Sequence, residues 1–178
     1  MAEGLELESE QGKRVMGVLL FQDLAVVPLL VLIPALGAPP ETMLKALGFA
    51  FPVIVHPSAE VAADSFIDEG SFVGALAVVN PAARIGRAVI VNSGVIVEHD
   101  CEVGDGVHLS PRTCLAGGVR VGALSWIGAG STVREKLTIG CEATVGMGSV
   151  VVRSLPDGVT AFGCPAEIRP VSPVKNSR

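Results

Sequence analysis

The chain has 178 residues, of which 49% are apolar, with 21 Gly, 12 Pro, one Trp and no Tyr, and its formal net charge is −5. This length suits one domain with an appendage, and the core must be built from small and β-branched side chains rather than aromatics. No basic stripe is present that could follow a phosphate backbone, which argues against a nucleic-acid partner.

The N-terminal segment, residues 1–48, contains a nearly continuous apolar run from Val15 to Leu36. Its 22 residues match the length of a membrane span, but Asp23 and two prolines oppose insertion. The run predicts an apolar helix, kinked or broken near Pro28. The run therefore allows membrane association through Val15–Leu36, but we expect no function to depend on it.

Residues 18–36 of this run read VLLFQDLAVVPLLVLIPAL, and Gly-Lys-Arg stands before the run at residues 12–14. Residues 9–48 closely resemble one transmembrane helix of the Kef-type cation/proton antiporters, in which the pair corresponding to Gln22 and Asp23 lies where ions pass. A single helix cannot form an alternating-access pathway. The resemblance therefore favours a relic of gene fusion, or a helix that packs on something, over a transporter fragment.

Seventeen consecutive six-residue blocks run from Val55 to Pro156, and each opens with Val, Ile or Leu. The second residue is often Gly or Ala, and the fifth is small or apolar. The first residue is expected to fill an interior, the fifth to turn inward beside it, and glycine to allow the backbone angles of a tight corner. A six-residue block can bury its apolar side only by stacking on other blocks of the same length, so the chain must form a coil.

Three blocks make one triangular coil, so that each residue stacks on the residue three blocks earlier. The repeat gives about 5.7 coils and a prism roughly 27 Å long. We predict an all-β domain over residues 49–170, preceded by the apolar helical segment and followed by a flexible tail, residues 171–178. The period resembles the left-handed parallel β-helix of hexapeptide-repeat acyltransferases, and the handedness comes from that resemblance.

Of the three histidines, His99 has the most suggestive surroundings. It occupies the third position of its block, at a corner, and stacking places Gly117 beside it, so a groove is expected there. Imidazoles titrate near neutral pH and act as bases, and Asp100 or Glu98 could orient the ring or raise its basicity. Trp126 stacks over a second histidine, His108. The third, His56, opens the first coil and is expected to be an exposed cap residue.

The four cysteines form no C-x-x-C pair and no zinc-ligand spacing, and no signal-peptide cleavage pattern precedes them. They are expected to be free thiols in a reducing compartment, which indicates a cytoplasmic location. Cys101 stands at a fifth position, where other blocks carry Ser, Thr or Val, so it is expected to be a packing residue.

Several sequence motifs within residues 51–170 are more specific than the six-residue repeat itself. They are an opening His-Pro-Ser-Ala, then NSGVIVEHDCEVGDGVHLSP, LAGGVRVGALSWIGAGSTV and VGMGSVVVRSLPDGV, and a closing Gly-Cys-Pro-Ala. They resemble the NeuD/PglD-type sugar acetyltransferases, which acetylate an amine or hydroxyl of a sugar or nucleotide sugar. The resemblance implies acetyl-CoA as co-substrate, no metal, and a homotrimer with the coenzyme in the cleft between neighbouring prisms.

The resemblance also implies residue roles. His99 would be the general base, and Asp100 would increase its basicity. His108 would contact the thioester region of acetyl-CoA, and the Gly117 amide would face the thioester oxygen. The backbone at two further positions would contact the coenzyme; these are Ala129 and Met147.

One departure from that family concerns the acceptor. Its members normally carry an N-terminal βαβ domain with a Gly-rich turn that binds the nucleotide sugar, whereas residues 1–50 contain no G-x-G-x-x-G word. A catalytically silent β-helical scaffold, or a fusion product without an acceptor site, is therefore the main alternative. A γ-type carbonic anhydrase shares the coil, but its three zinc-binding histidines do not match the spacing of the histidines here.

Overall fold

The computed structural model describes residues 51–169. The predicted apolar segment, residues 1–48, the boundary after it and the tail, residues 171–178, lie outside the described residues and stay predictions. Within the described range, no helix has the length and hydropathy needed to cross a membrane.

Seventeen two-residue strands follow one another, each made of the sixth residue of one block and the first residue of the next, and a longer hairpin follows them. The strands are β1 (Ile54–Val55), β2 (Glu60–Val61), β3 (Phe66–Ile67), β4 (Phe72–Val73), β5 (Val78–Val79), β6 (Arg84–Ile85), β7 (Ile90–Val91), β8 (Ile96–Val97), β9 (Glu102–Val103), β10 (His108–Leu109), β11 (Cys114–Leu115), β12 (Arg120–Val121), β13 (Trp126–Ile127), β14 (Thr132–Val133), β15 (Thr138–Ile139), β16 (Thr144–Val145), β17 (Val150–Val151), β18 (Thr160–Gly163) and β19 (Ala166–Ile168).

From β1 to β17, every third strand joins the same sheet in parallel, which gives three sheets. Sheet I is β1-β4-β7-β10-β13-β16-β18-β19, sheet II is β2-β5-β8-β11-β14-β17, and sheet III is β3-β6-β9-β12-β15. Paired residues stand three blocks apart, as His108 does from Trp126. The predicted all-β prism with three blocks to a coil is confirmed. The four-residue turns that join the sheets are named here the I/II, II/III and III/I corners.

The core lies inside the prism and is built from the first and fifth residues of the blocks. Leu109 and Ile127 are first residues and are fully buried. Fifth residues such as Ser125 and Thr113 are buried too, and their hydroxyls are satisfied: Ser125 Oγ donates to the carbonyl of Gly140 at 2.7 Å. Buried polar groups that are paired in this way avoid the cost of desolvation.

The second-position glycines have a different role from the one expected. Left-handed backbone occurs at the fourth position of the blocks instead, for example at Leu76 and Asp100, both with φ 58°. A second-position glycine is needed because successive coils approach closely. A Cβ added at Gly104 would lie 2.7 Å from the backbone nitrogen of Ala123. The expectation that these glycines supply turning angles was therefore wrong.

The last coil is shorter than the repeat predicts. Ile139 pairs with Leu155, and Thr144 pairs with Thr160, and each partner comes two positions before the one that a full coil would provide. β18 and β19 then form an antiparallel hairpin at the end of sheet I. The strict period therefore ends within the seventeenth block.

Candidate active site

The II/III corner between β8 and β9 carries a hydrogen-bonded histidine and carboxylate. Nδ1 of His99 lies 2.8 Å from Oδ2 of Asp100, and both side chains are more than 60% exposed. The left-handed conformation of Asp100 turns the chain directly after the histidine. The two residues that the sequence placed side by side therefore form a pair that is open to ligands.

The next coil leaves space beside this pair, as the stacking of Gly117 on His99 predicted. A Cβ added at Gly117 would lie 2.7 Å from both Cε1 and Nε2 of His99, so the imidazole occupies the room that a side chain would need. A groove of about 840 Å³ runs along sheet III next to this corner, and its lining includes Asp100, Gly118 and Lys136.

His108 lies on the outer surface of sheet I, in β10, and pairs in register with Trp126. Nδ2 of Asn92 lies 3.4 Å from His108 Nε2, and the indole N–H of Trp126 donates to Ser110 Oγ at 2.8 Å. The predicted stacking of Trp126 over His108 is confirmed. Neighbouring side chains thus hold both rings on the outer face of sheet I.

Ala129 and Met147 lie one coil apart on the I/II corner, each at the third position of its block. Their N–H groups, like that of Gly117, donate none of the hydrogen bonds formed within residues 51–169. Pro81 and Pro111 occupy third positions elsewhere, so the coil does not need this N–H. The third-position N–H is unused at other corners too, for example at Ala75 and Ala123, so this feature is general to the coil and does not by itself mark a coenzyme site.

The backbone beside Ala129 and Met147 is also bare. Gly130 and Gly148 follow them, and no atom lies within 4 Å of a Cβ built on either. A ligand can lie directly against the main chain there, where N–H groups are accessible. The pattern of first and fifth residues that predicts the core does not indicate these free donors. The sequence feature that points to them is proline at the third position of other blocks.

The predicted site residues fall into two groups on different parts of the prism. The dyad group lies on the II/III corner and consists of His99, Asp100 and Gly117. The coenzyme group lies on sheet I and the I/II corner and consists of His108, Ala129 and Met147. In a triangular coil the II/III corner is opposite sheet I, so one prism does not bring the two groups together.

The remaining cysteine and histidine residues contribute no further reactive centre near the dyad. Burial raises the pKa of the Cys101 thiol, which donates to the carbonyl of Ala116 at 3.2 Å, as a packing residue would. His56 is exposed in the first coil, with Nδ1 2.8 Å from Ser58 Oγ. All four cysteines are free thiols. Residues 51–169 contain no group of three or more His, Cys, Asp or Glu side chains that could hold a metal ion.

A parallel β-helix of hexapeptide repeats with a histidine–carboxylate pair at an exposed corner is the arrangement expected from the resemblance to the hexapeptide-repeat acyltransferases. Similarity to solved structures places the chain more narrowly. The acetyltransferase domain of PglB from Neisseria gonorrhoeae superposes with a TM-score of 0.70 at 42% identity, over 72% of this chain and 62% of that one. The same domain has been solved in complex with acetyl coenzyme A.

PerB from Caulobacter crescentus, solved with CoA and GDP-perosamine, superposes with a TM-score of 0.69 at 44% identity, over 71% of this chain and 62% of that one. The GDP-perosamine N-acetyltransferase of Escherichia coli O157:H7 is 33% identical over 125 residues, which are 67% of this chain and 57% of that protein. A serine acetyltransferase of Bacillus pumilus is 33% identical over 51% of this chain. No family model matches the chain.

These similarities confirm the predicted resemblance to the sugar acetyltransferases. The chain spans less than two thirds of each of these relatives, and less than half of the serine acetyltransferase. The antiporter resemblance of residues 9–48 lies outside the described residues and stays a prediction.

Proposed function

We propose that this protein is an acetyl-CoA-dependent acetyltransferase that acts on an amine or hydroxyl of a sugar or nucleotide sugar. The observation that carries the proposal is the contact between His99 and Asp100 at an exposed corner, beside two residues of the next coil that have no side chain, Gly117 and Gly118. Relatives solved with acetyl coenzyme A, or with CoA and GDP-perosamine, support the donor and the acceptor class. Acetyl-CoA is a co-substrate in this chemistry, no metal is invoked, and a cytoplasmic location suits both the coenzyme and the free thiols.

The hydrogen bond to Asp100 assigns the proton of the neutral imidazole to Nδ1, because a carboxylate only accepts. Nε2 of His99, over Gly117, then has a free lone pair. The amine nitrogen or hydroxyl oxygen of the acceptor attacks the thioester carbonyl carbon, and Nε2 of His99 takes the proton that this atom loses. The C–S bond breaks, and Nε2 returns the proton to the departing thiolate. Asp100 stabilises the transient imidazolium, and the Gly117 N–H stabilises the oxyanion. Because the acceptor attacks the thioester directly, no acyl-enzyme forms.

The two separated groups of site residues support a homotrimer with sites between subunits. Around a threefold axis, each prism points one corner at the axis and packs two sheets against its neighbours. If the III/I corner points inward, sheet III of one subunit meets sheet I of the next. The outer edge of that contact then joins the II/III corner of one subunit to the I/II corner of its neighbour. This arrangement alone gathers the dyad group and the coenzyme group in one cleft.

The outer surfaces of the two sheets fit this packing in shape. Sheet I carries the apolar side chains Phe72, Ile90 and Trp126, each more than a third exposed. Sheet III is grooved on both sides of its strands, with volumes of about 840 and 560 Å³. In this packing the rings of sheet I meet the outer side chains of sheet III, which include Arg84, Glu102 and Arg120, and the contact buries the aliphatic stems of the arginines.

Sheet II is also partly apolar, with Val78 and Ile96 on its outer surface, and apolarity alone would favour packing of sheet I on sheet II. That arrangement would point the I/II corner at the axis and remove Ala129 and Met147 from the cleft. We prefer the packing of sheet III on sheet I because it gathers the dyad group and the coenzyme group in one cleft.

Substitution of Gly117 by Ala tests the dyad group. The new Cβ collides with the end of an exposed side chain, so the ring of His99 moves and the backbone does not. We expect the free energy of unfolding to change by less than about 0.5 kcal/mol. We expect kcat/KM for acetyl transfer to fall about 100-fold, since a misplaced catalytic group loses its geometry. Initial rates of coenzyme A release and thermal unfolding measure the two effects.

The control for Gly117→Ala is the same substitution in a His99→Ala background. Without the imidazole the Cβ has nothing to displace, so the second substitution should leave the residual rate unchanged. An equal loss in both backgrounds would mean that the effect of Gly117 does not pass through His99.

A screen of amino sugars, nucleotide-linked amino sugars and sugar hydroxyls, with coenzyme A release as the readout, tests the proposed function itself. Release that depends on one acceptor class identifies the substrate and decides between N- and O-acetylation. Binding of acetyl-CoA without transfer to any acceptor would instead favour the silent scaffold.

A further inference from the structure

His108 presents a hydrogen-bond donor that no group of residues 51–169 accepts. The backbone N–H of Ser93 donates to Oδ1 of Asn92 at 2.8 Å, which fixes the orientation of that amide. The amide Nδ2 therefore faces Nε2 of His108, at 3.4 Å, and donates to it. The proton of the neutral ring is then on Nδ1, which has no hydrogen-bond partner among these residues. Burial of sheet I against a neighbour would leave this donor unpaired unless the neighbour supplies an acceptor.

The proposed trimer determines which residue of the neighbour lies opposite His108. Around a threefold axis parallel to the prisms, equivalent residues of the subunits lie at the same height. A coil rises roughly 4.8 Å, so each of its blocks rises about 1.6 Å. Glu102 stands one block before His108, and Arg120 stands two blocks after it. On the neighbouring sheet III, Glu102 is therefore the outward residue nearest in height to His108.

The same offset of one block brings compatible side chains together at two further levels. Phe66 of sheet III comes opposite Phe72 of sheet I, and Arg120 comes opposite Trp126. Aromatic rings pack well on one another, and a guanidinium binds the face of an indole. The chemistry of three successive pairs thus agrees with this register.

The alternative packing, of sheet I on sheet II, offers His108 no comparable acceptor. The outward residue of sheet II nearest in height is Cys114, one block after His108. A thiol sulfur is only a weak acceptor. A carboxylate opposite the free donor therefore occurs only when sheet I packs on sheet III.

The carboxylate of Glu102 is available for this contact. Its side chain is 55% exposed, and its one ion pair within residues 51–169 is with Arg120, whose Nε lies 3.5 Å from Oε2. A carboxylate has two oxygens and accepts several hydrogen bonds. We propose that Glu102 accepts a hydrogen bond from Nδ1 of His108 in the neighbouring subunit and holds that ring in place for the coenzyme. Glu102 is thus a positioning residue that acts through His108, and the proposal rests on the trimeric site proposed above.

Steady-state kinetics of Glu102→Ala test this assignment. We expect the KM for acetyl-CoA to rise about tenfold, as for loss of a hydrogen bond to a charged group, because His108 belongs to the coenzyme group. The KM for the acceptor should stay within twofold of the parent. Glu102→Gln, whose amide oxygen still accepts, should lie between the two. Arg120→Gln is the control, because it breaks the same ion pair but keeps the carboxylate, and it should change the KM for acetyl-CoA less than twofold.

Mixed trimers show whether the contact crosses the subunit boundary. Glu102→Ala and His108→Ala subunits are co-expressed with different affinity tags, and the trimers that carry both tags are isolated. In each of these trimers about one contact in three joins an intact Glu102 to an intact His108. We therefore expect kcat/KM for acetyl-CoA to recover to about a third of the parent value. Two residues that act within one subunit would give no recovery, since every subunit carries one defect.

An unchanged KM for acetyl-CoA in Glu102→Ala would overturn the assignment, and so would an equal rise in Arg120→Gln or mixed trimers no better than the separate variants. Sedimentation velocity checks that Glu102→Ala remains trimeric; if it dissociates, Glu102→Gln takes its place in both experiments. A parent protein that transfers no acetyl group, or is not a trimer, would refute the proposed function instead. That failure is seen in the parent, before any variant is compared.

Discussion

Substitution of His99 by Ala is expected to lower kcat/KM for acetyl transfer by about 10²–10⁴-fold, the usual contribution of a general base. The side chain lies on the surface of a corner and makes no core contact, so the thermal unfolding temperature should stay within a few degrees of the parent. Coenzyme A release with the best acceptor measures the loss. Equal rates for the parent and the variant would remove His99 from the mechanism.

Substitution of Asp100 by Asn isolates the contribution of the carboxylate charge. Asp100 has a left-handed backbone, which asparagine tolerates better than most residues, so the corner keeps its shape. An amide can still accept the hydrogen bond from Nδ1 but stabilises the imidazolium less. We expect kcat/KM for acetyl transfer to fall, but by less than for His99→Ala. An unchanged kcat/KM would show that Asp100 only shapes the turn.

Much of this site was predictable because every coil before the last has the same length. Counting forward by three blocks is enough to place Gly117 beside His99 and Trp126 over His108, and both placements are found. The same counting also separates the two groups, since Gly117 and Ala129 are two blocks apart and must lie on different corners. The separation of the two groups on one prism, on which the proposed trimer rests, is therefore predictable from the residue numbers.

Other features have no such signal. The left-handed fourth position is occupied by residues as unlike as Leu76, Arg112 and several glycines, because stacking of the coils outweighs the local preference of each residue. Asp100 is one of these residues, and its unusual backbone is invisible in the sequence. The shortened last coil, in which Leu155 replaces the expected partner of Ile139, likewise breaks a period that nothing in the preceding blocks contradicts.

Substitution of Ile90 by Asp should dissociate the proposed trimer, whereas Ile96→Asp should leave it intact. The two residues are closely matched: both are outward sixth-position isoleucines, 39% and 36% exposed, on β7 and β8. Ile90 lies on sheet I, which faces a neighbour in the proposed assembly. Ile96 lies on sheet II, which faces solvent. An unpaired carboxylate is costly only where the assembly removes it from water.

Sedimentation velocity at micromolar concentration measures the assembly of both variants, and coenzyme A release measures their activity. Dissociation by Ile96→Asp would favour the packing of sheet I on sheet II and would take Ala129 and Met147 out of the cleft. A trimeric Ile90→Asp would exclude sheet I from any contact between subunits. The expected Ile90→Asp monomer keeps His99 and Asp100 on its own corner, yet we expect it to lose at least 100-fold in rate, since the neighbour's amides no longer position the thioester. A loss of acetyl transfer while His99 and Asp100 remain in place would show that the reaction also needs residues of the neighbouring subunit.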